Sequence, residues 1–259
     1  MSYPFFSLAK SRRLAPIEFH LGQISIRVEA MPGHGMATIW DADILIWAAS
    51  QIVEARDAGL RTSRLMAVTP HALLTFIGRG TSARDYARLR AALDRLQTTT
   101  VATTLRQQAE SQIHRFSWIN EWAAHVDRSG RTDGIELVVP DWLYRAVLDD
   151  GLVLTMDRAY FKLTGGLERW LYRLVRKHAG WQPDGWAFDV PHLHLKSGSL
   201  SPLKHFAHDL RAIVRRQALP GYRLELQRAG LGGERLAFKA RSIGRCAASV
   251  LVDHSGDKM

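Results

Sequence analysis

The chain has 259 residues, of which 46% are hydrophobic and 23% charged, as is typical of a folded globular protein rather than a disordered one. Lysine and arginine number 35 against 25 aspartate and glutamate, and the formal net charge of +10 favours a polyanionic partner. The single cysteine, Cys246, excludes an intramolecular disulfide, and no apolar stretch is long enough for a signal peptide or a membrane span. We therefore expect a cytoplasmic protein that does not bind membranes.

The positive charge is concentrated in two segments of the chain. Residues 79–106 contain six arginines and two aspartates, and residues 167–216 contain nine basic and four acidic residues. These segments together carry +9 of the formal charge of +10. Such a distribution favours two contact surfaces over a uniformly solvated exterior.

Sequence patterns in the first half of the chain predict a helix-turn-helix followed by a hairpin. The predicted elements are an N-terminal arm (1–22), a strand (23–30) and three helices (38–56, 69–78 and 81–96). The turn Gly78–Gly80 joins the second helix to the third, as in a helix-turn-helix. Segments 98–106 and 112–121 are rich in β-formers and predict a hairpin, or wing, to which residues 135–139 add a third strand.

The same order of elements recurs after a boundary near 132–140. The predicted elements are a short helix (140–148), a partly extended segment (152–163), a helix (167–178), a short strand (186–190), a short helix (191–196), a long helix (201–216) and a hairpin (222–227 and 234–239). We therefore predict an α+β fold of two tandem winged-helix domains, 23–139 and 140–240. Residues 241–259 are expected to form a polar, flexible tail.

Two of the predicted helices each carry a cationic side opposite an apolar side. On the third helix, helical geometry groups Thr81, Arg84, Arg88 and Arg95 opposite Tyr86, Leu89, Leu93 and Leu96. On the long helix it groups Lys204, His208, Arg211 and Arg215 opposite Leu203, Phe206, Leu210 and Ile213. Because arginine can make two hydrogen bonds to guanine in the major groove, both helices are predicted to contact double-stranded DNA. An ordinary amphipathic helix with solvated arginines is the alternative for either helix alone, but the pattern occurs twice, each time between a glycine turn and a hairpin.

Further basic residues are candidates for phosphate contacts, which position a protein on DNA without selecting a sequence. They are Arg79, Arg106, Arg115, Arg173, Arg176 and Lys177. The segment 98–104 of the first predicted wing is a further candidate. For each residue, ordinary surface charge is an equally good explanation.

Enzymatic interpretations have less support. His192 and His194 match the His-hydrophobic-His pattern of metal-dependent nickases. That chemistry needs the pair on a buried strand, a third metal ligand and a tyrosine nucleophile downstream. The only tyrosine downstream is Tyr222. Asp41 and Asp43 are better explained by helix capping and the helix dipole than by metal binding. The sequence contains no Walker A motif and no GxGxxG that opens a helix. We expect no enzyme activity, no cofactor and no metal site.

Six stretches of the sequence carry a resemblance to a known family. They are MATIWDADILIWAASQIVEARD (36–57), LLTFIGRGTSARDYARLRAALDRLQTTTVATT (73–104), RFSWINEW (115–122), GIELVVPDWLYRAVL (134–148), LTMDRAYFKLTGGLERWLYRLVRKHAG (154–180) and the region from SGSL to LPGYRL (197–224). On these stretches the chain closely resembles the replication initiator protein A family of bacterial plasmids, over roughly residues 1–240.

The resemblance implies a protein that binds repeated sequences, called iterons, at a plasmid origin. It further implies opening of an adjacent AT-rich region and recruitment of the host initiator and the replicative helicase. Relatives in this broad class are tandem winged-helix proteins that act at iterons as monomers and repress their own promoter as dimers. A winged-helix transcriptional repressor without initiator activity is the alternative that the residues themselves leave open.

Overall fold

The computed structural model describes residues 2–105, 113–126, 128, 132–149, 153–179, 182, 184–228, 230–241 and, by their backbone alone, 249–252. Its strands are β1 (Ile17–Leu21), β2 (Ile24–Glu29), β3 (Leu65–Val68), β4 (Thr100–Thr103), β5 (His114–Phe116), β6 (Glu121–Val126), β7 (Thr132–Val138), β8 (Val153–Met156), β9 (Trp186–Asp189), β10 (Tyr222–Arg228), β11 (Glu234–Ala240) and β12 (Ser249–Val252). Its α-helices are α1 (Ala42–Asp57), α2 (Pro70–Phe76), α3 (Ala83–Thr98), α4 (Asp141–Leu148), α5 (Gly166–Ala179), α6 (Val190–Ser197) and α7 (Leu203–Arg216). None of the helices in these ranges is both long and apolar enough to cross a membrane.

One order of elements occurs twice along the chain. The first unit consists of α1, β3, α2, α3, β6 and β7, and the second unit of α5, β9, α6, α7, β10 and β11. Each unit has a three-stranded antiparallel sheet in which the last strand lies between the other two, in the orders β3-β7-β6 and β9-β11-β10. The predicted mixed α and β architecture with a repeated element order is therefore present. The buried side chains of both units form one continuous apolar core, and the predicted division into two domains stays a prediction.

The predicted first hairpin belongs to a different sheet from the one expected. Strand β4 pairs with β5, but both lie in a four-stranded sheet of order β1-β2-β4-β5. The segment 135–139, predicted as a third strand of this hairpin, instead forms most of β7 between β3 and β6. The prediction was wrong here because β-forming residues mark a strand but do not specify which distant strand it pairs with.

The N-terminal segment is packed into the fold and is not the arm that the sequence predicted. Tyr3, Phe5 and Phe6 are buried, and the Phe6 ring stacks on that of Trp118 at 4.5 Å between centroids. Strand β1, also within the predicted arm, pairs with β2 along its whole length. Burial of these aromatic side chains stabilises the folded state, which favours packing the segment into the fold over leaving it in solvent.

At the C-terminal end, part of the predicted tail is in a strand. β12 pairs antiparallel with β8 from Ser249 to Val252. The other residues predicted as tail lie outside the described residues, apart from Arg241, which follows β11.

A buried ion pair connects the two units. Asp43 on α1 is fully buried and accepts hydrogen bonds of 2.7 Å from Arg169 on α5 and of 2.9 Å from Arg79, which lies between α2 and α3. Arg169 also donates to the carbonyl oxygens of Leu163 and Phe161, at 2.7 and 2.9 Å. Desolvation raises the pKa of Asp43, and the charges of Arg169 and Arg79 act in the opposite direction. Asp43 therefore joins α1 to α5, a role that its predicted position at the start of α1 did not indicate.

We expect Asp43→Ala to lower the free energy of unfolding by about 3–5 kcal/mol, because it leaves the Arg169 charge buried without its partner. Urea unfolding measures the effect. The matched control is Asp57→Ala at the other end of α1, where the carboxylate is 60% exposed beside Arg56 and a loss of about 0–1 kcal/mol is expected. Equal losses for the two variants would contradict the role assigned to Asp43.

Candidate nucleic-acid interface

Helix α3 presents an exposed cationic side over its first two turns. A capping box starts the helix, in which Ser82 Oγ accepts from the Asp85 amide at 3.4 Å and Asp85 Oδ2 accepts from the Ser82 amide at 3.2 Å. The hydrogen bonds from Ser82 hold the pKa of Asp85 below its usual value. Arg84 and Arg88 are exposed, as is Thr81 just before the helix. The buried side consists of Leu89, Ala92, Leu93 and Leu96.

Arg95 does not belong to this exposed side. Its guanidinium donates to both carboxylate oxygens of Asp41, at 2.7 and 2.8 Å, and the Asp41 side chain is only 5% exposed. The hydrogen bond to Asp41 raises the pKa of Arg95. Arg95 therefore joins α3 to the start of α1. Helical periodicity assigned it to the DNA-facing side because periodicity places a residue on its helix but does not show which other element covers it.

Helix α7 presents a second cationic surface. Gly198 ends α6 in the left-handed conformation (φ 62°), and α7 follows after Pro202. Lys204, His208 and Arg215 are exposed on α7. The opposite side of the helix is buried in the second unit through Phe206, Ala207, Leu210 and Ile213. The sequence-predicted cationic and apolar sides of α7 are thus both present, except that Leu203, predicted on the apolar side, is exposed.

Arg211, the remaining member of the α7 group, is paired with an acidic residue of the hairpin. Its guanidinium donates to both carboxylate oxygens of Glu234, at 2.6 and 3.2 Å. Glu234 raises the pKa of Arg211 and begins β11. The two side chains are 44% and 35% exposed, so solvent screens the pair. Arg211 therefore connects α7 to the β10–β11 hairpin while remaining accessible.

The phosphate-contact candidates on α5 are largely structural. Arg173 is 7% exposed, and its Nε donates to the Tyr160 hydroxyl at 2.9 Å. Arg176 donates to the carbonyl oxygen of Thr155 at 2.7 Å, and Lys177 is partly buried. The prediction for Arg173 was wrong because α5 is enclosed on most of its sides, which its basic residues do not indicate.

The candidates of the first unit differ in accessibility. Arg115 is exposed on β5, whereas Arg79 is paired with the buried Asp43. The segment 98–104 is buried or half-buried, so it offers little surface for the predicted wing contact. Arg106 lies outside the described residues.

The β10–β11 hairpin carries exposed basic residues that the sequence pattern did not single out. Arg223 and Lys239 are exposed and lie directly opposite each other in the strand register. Like charges directly opposite one another are destabilising in an antiparallel pair, so this arrangement favours a polyanion as a partner. Buried and exposed positions alternate at the start of β10, from Tyr222 onward. The same alternation of apolar and polar residues in the sequence could have indicated that Arg223 is exposed.

The histidine pair has no nickase geometry. His192 and His194 lie on α6 rather than on a strand, and residues two apart on a helix point about 200° apart. His192 stacks on the Phe188 ring, and His194 Nε2 lies 2.7 Å from the carbonyl oxygen of Ser201. Tyr222 is buried, which raises its pKa. In the part of the chain that the structure describes, no group of three or more His, Cys, Asp or Glu residues is arranged to hold a metal ion.

Comparison with protein families matches the model of replication initiator protein A to residues 1–224. The chain belongs to the replication initiator protein A family. A relative of this initiator, from Wigglesworthia glossinidia brevipalpis and described as a replication protein, is 31% identical over 228 residues, which cover 86% of this chain and 82% of the relative.

Two solved structures share the fold of the initiator. A structure of domains 2 and 3 of RctB superposes with a TM-score of 0.68 at 15% identity and covers 92% of this chain and 96% of that chain. A second structure of RctB domains 2–3 gives a TM-score of 0.60 at 15% identity, with 96% and 95% of the two chains covered. At this identity the likeness concerns the fold alone.

We expect Arg95→Ala to lower the free energy of unfolding by about 1–3 kcal/mol, because the buried Asp41 carboxylate loses both hydrogen bonds from Arg95 and keeps that from the Thr38 amide. Arg84→Ala, which removes an exposed arginine from the same helix, is the control and is expected to change stability by no more than about 0.5 kcal/mol. Denaturant unfolding of the two variants makes the comparison. Indistinguishable midpoints and slopes would show that Arg95 has no structural role.

Proposed function

We propose that this initiator is a sequence-specific double-stranded-DNA-binding protein that binds repeated sequences at a plasmid origin. Each of its two units is, in this proposal, a winged-helix domain. The protein acts by binding DNA, opening the adjacent AT-rich region and recruiting host proteins, without catalysing a reaction and without a cofactor. It works in the bacterial cytoplasm, on plasmid DNA.

The observation that carries the proposal is the surface of α7. Lys204, His208, Arg211 and Arg215 lie on its accessible side, while the apolar side is packed against the second unit. A helix of this kind, preceded by a short helix and a turn and followed by a hairpin, has the properties needed to enter a major groove. Arg223 and Lys239 on the hairpin supply further positive charge beside it.

The sheet topology supports the winged-helix assignment of both units. In this assignment α3 and α7 are the recognition helices, and the hairpins β6–β7 and β10–β11 are the wings. The wing of the first unit is therefore β6–β7, not the β4–β5 hairpin that the sequence predicted. Arg84 and Arg88 are the DNA-contacting cations of α3, and Arg115 is a candidate phosphate contact on β5.

Arg211 has a double role in the proposal. Its ion pair with Glu234 holds the β10–β11 hairpin against α7. Because that pair is accessible to solvent, a phosphate or a guanine base can compete with Glu234 for the guanidinium. The orientation of the wing is thereby linked to the recognition helix.

The partners proposed from the family resemblance are the host initiator and the replicative helicase, with a homodimer that represses the initiator's own promoter. A winged-helix repressor without initiator activity remains the second candidate. Supplying the gene in trans to a replicon that carries only the cognate repeats separates the two. We expect the replicon to be maintained, and its loss from cells that contain the folded protein would favour the repressor.

For DNA recognition, we expect Arg88→Ala to weaken binding to the origin repeats by about 1–3 kcal/mol, with the loss confined to particular base pairs. Fluorescence anisotropy with repeat DNA and with random duplex measures the difference. Arg145→Ala on α4, where the side chain is 78% exposed beside Asp141, is the control and should leave both affinities unchanged. Equal losses on repeat and random DNA would show that Arg88 does not recognise bases.

A further inference from the structure

The N-terminal segment Ser2–Arg13 passes between the two units and is fixed to the first unit at Ser7. The Ser7 amide donates to the carbonyl oxygen of Ala37, and the Ile39 amide donates to that of Ser7, each at 2.9 Å. Ser7 is fully buried. The segment is therefore attached to the residues that lead into α1.

The same segment is fixed to the second unit at two further places. The backbone of Leu8 packs so closely against Gly166, the first residue of α5, that a side chain at Gly166 would collide with the Leu8 carbonyl. The buried Arg13 side chain donates to two nearby carbonyl oxygens and, at 2.7 Å, to that of Gly198 in the turn between α6 and α7. Residues before and after the stretch 9–12 are therefore held in place.

Between these attachments, the stretch Ala9–Arg12 is exposed and cationic. No carboxylate in the described part of the chain lies within ion-pair distance of Lys10 or Arg12. Lys10 Nζ lies 5.4 Å from the centre of the Trp40 ring, and the aliphatic stem of Arg12 packs against Gly35. Both side chains are thus positioned by packing, while their charges have no acidic partner there.

This stretch borders two clefts, one shared with α3 and one shared with α7. Lys10 and Arg12 line a cleft of about 710 Å³ together with Arg88 of α3. Ala9 and Arg13 line a smaller cleft together with Arg216 on the flank of α7. The positive charges of Lys10 and Arg12 therefore extend the cationic surface of α3 toward the second unit.

We propose that Lys10 and Arg12 bind phosphates of the duplex between the grooves that α3 and α7 enter. The inference rests on the proposed function, and it adds the N-terminal segment to the proposed DNA-contacting elements. Because the stretch is held at both ends before DNA arrives, little conformational entropy is lost when it binds. The contacts involve the phosphate backbone, so they contribute equally to repeat DNA and to random DNA.

The test measures how the affinity of the full chain for DNA depends on salt. The probe is a fluorescein-labelled random-sequence duplex of roughly 30 base pairs, long enough for helices in successive major grooves. Affinities of the wild type and of the double variant Lys10→Ala/Arg12→Ala are measured by anisotropy between roughly 50 and 200 mM salt. Removing one phosphate-binding cation lowers the slope of log affinity against log salt by about 1, so the double variant should lower it by about 2.

The matched control is Arg61→Ala/Arg145→Ala. It removes the same amount of positive charge, but near the C-terminal end of α1, whereas Lys10 lies near its N-terminal end. Arg61 follows the end of α1, and Arg145 lies on α4, whose Leu148 accepts a hydrogen bond from Arg56 near that end. A 16-residue helix is about 24 Å long, so these arginines are remote from Lys10 and Arg12. The control should keep the wild-type slope, and thermal unfolding confirms that both double variants are folded.

The outcomes separate this inference from the proposed function. A lower slope for Lys10→Ala/Arg12→Ala alone supports the inference. A wild-type slope for that variant, or an equal decrease in both double variants, overturns it and leaves the proposed function intact. A wild-type protein that does not bind the duplex even at the lowest salt overturns both.

Discussion

The carboxylate of Asp43 accepts hydrogen bonds from two guanidinium groups that come from different parts of the chain. Arg169 reaches it from α5 and Arg79 from the turn before α3, and all three charges meet beside the core that the two units share. An unpaired charge at this depth would cost several kcal/mol, so the contact allows only arrangements in which α1 and α5 lie together. Through Arg79 and Arg169, this contact fixes where α3 and the second unit lie relative to α1. The cleft beside Arg88 depends on these positions.

Burial and ion pairing divide the basic residues into two groups. Arg95 and Arg173 are bound to Asp41 and to Tyr160, and their charges hold elements together inside the protein. Arg84, Arg88 and Lys204 are exposed on the two proposed recognition helices. Some of the cations that contribute to the net charge of +10 are therefore not available to a polyanion, even in the segments richest in arginine. Additional accessible charge comes from places outside those segments, such as Arg223 and Lys10.

Local sequence signals predicted most elements, and some of the site, for reasons that are visible in the structure. Thr69 caps α2 by accepting a hydrogen bond from the Ala72 amide, and Pro70 occupies the first helical position, where proline is favoured. The two sides of α7 agree with its helical periodicity because the apolar side packs into the second unit, while the cationic side stays accessible even where Arg211 pairs with Glu234. Strand pairing was less predictable, since β7 joins β3 across more than 60 residues of intervening chain. The burial of the N-terminal aromatic residues likewise depends on a surface built by distant segments, including Trp118.

By itself, the sequence determined the helices, most of the strands, the caps and turns that end them, and where positive charge is concentrated, because each of these depends on residues within a few positions of one another. Only the tertiary structure decided which arginines remain accessible. Arg95 meets an aspartate 54 residues away, and Arg169 meets one 126 residues away, and no local pattern encodes contacts at such separations. Whether a guanidinium faces solvent or a buried carboxylate is settled by which helix faces come together when the apolar core forms.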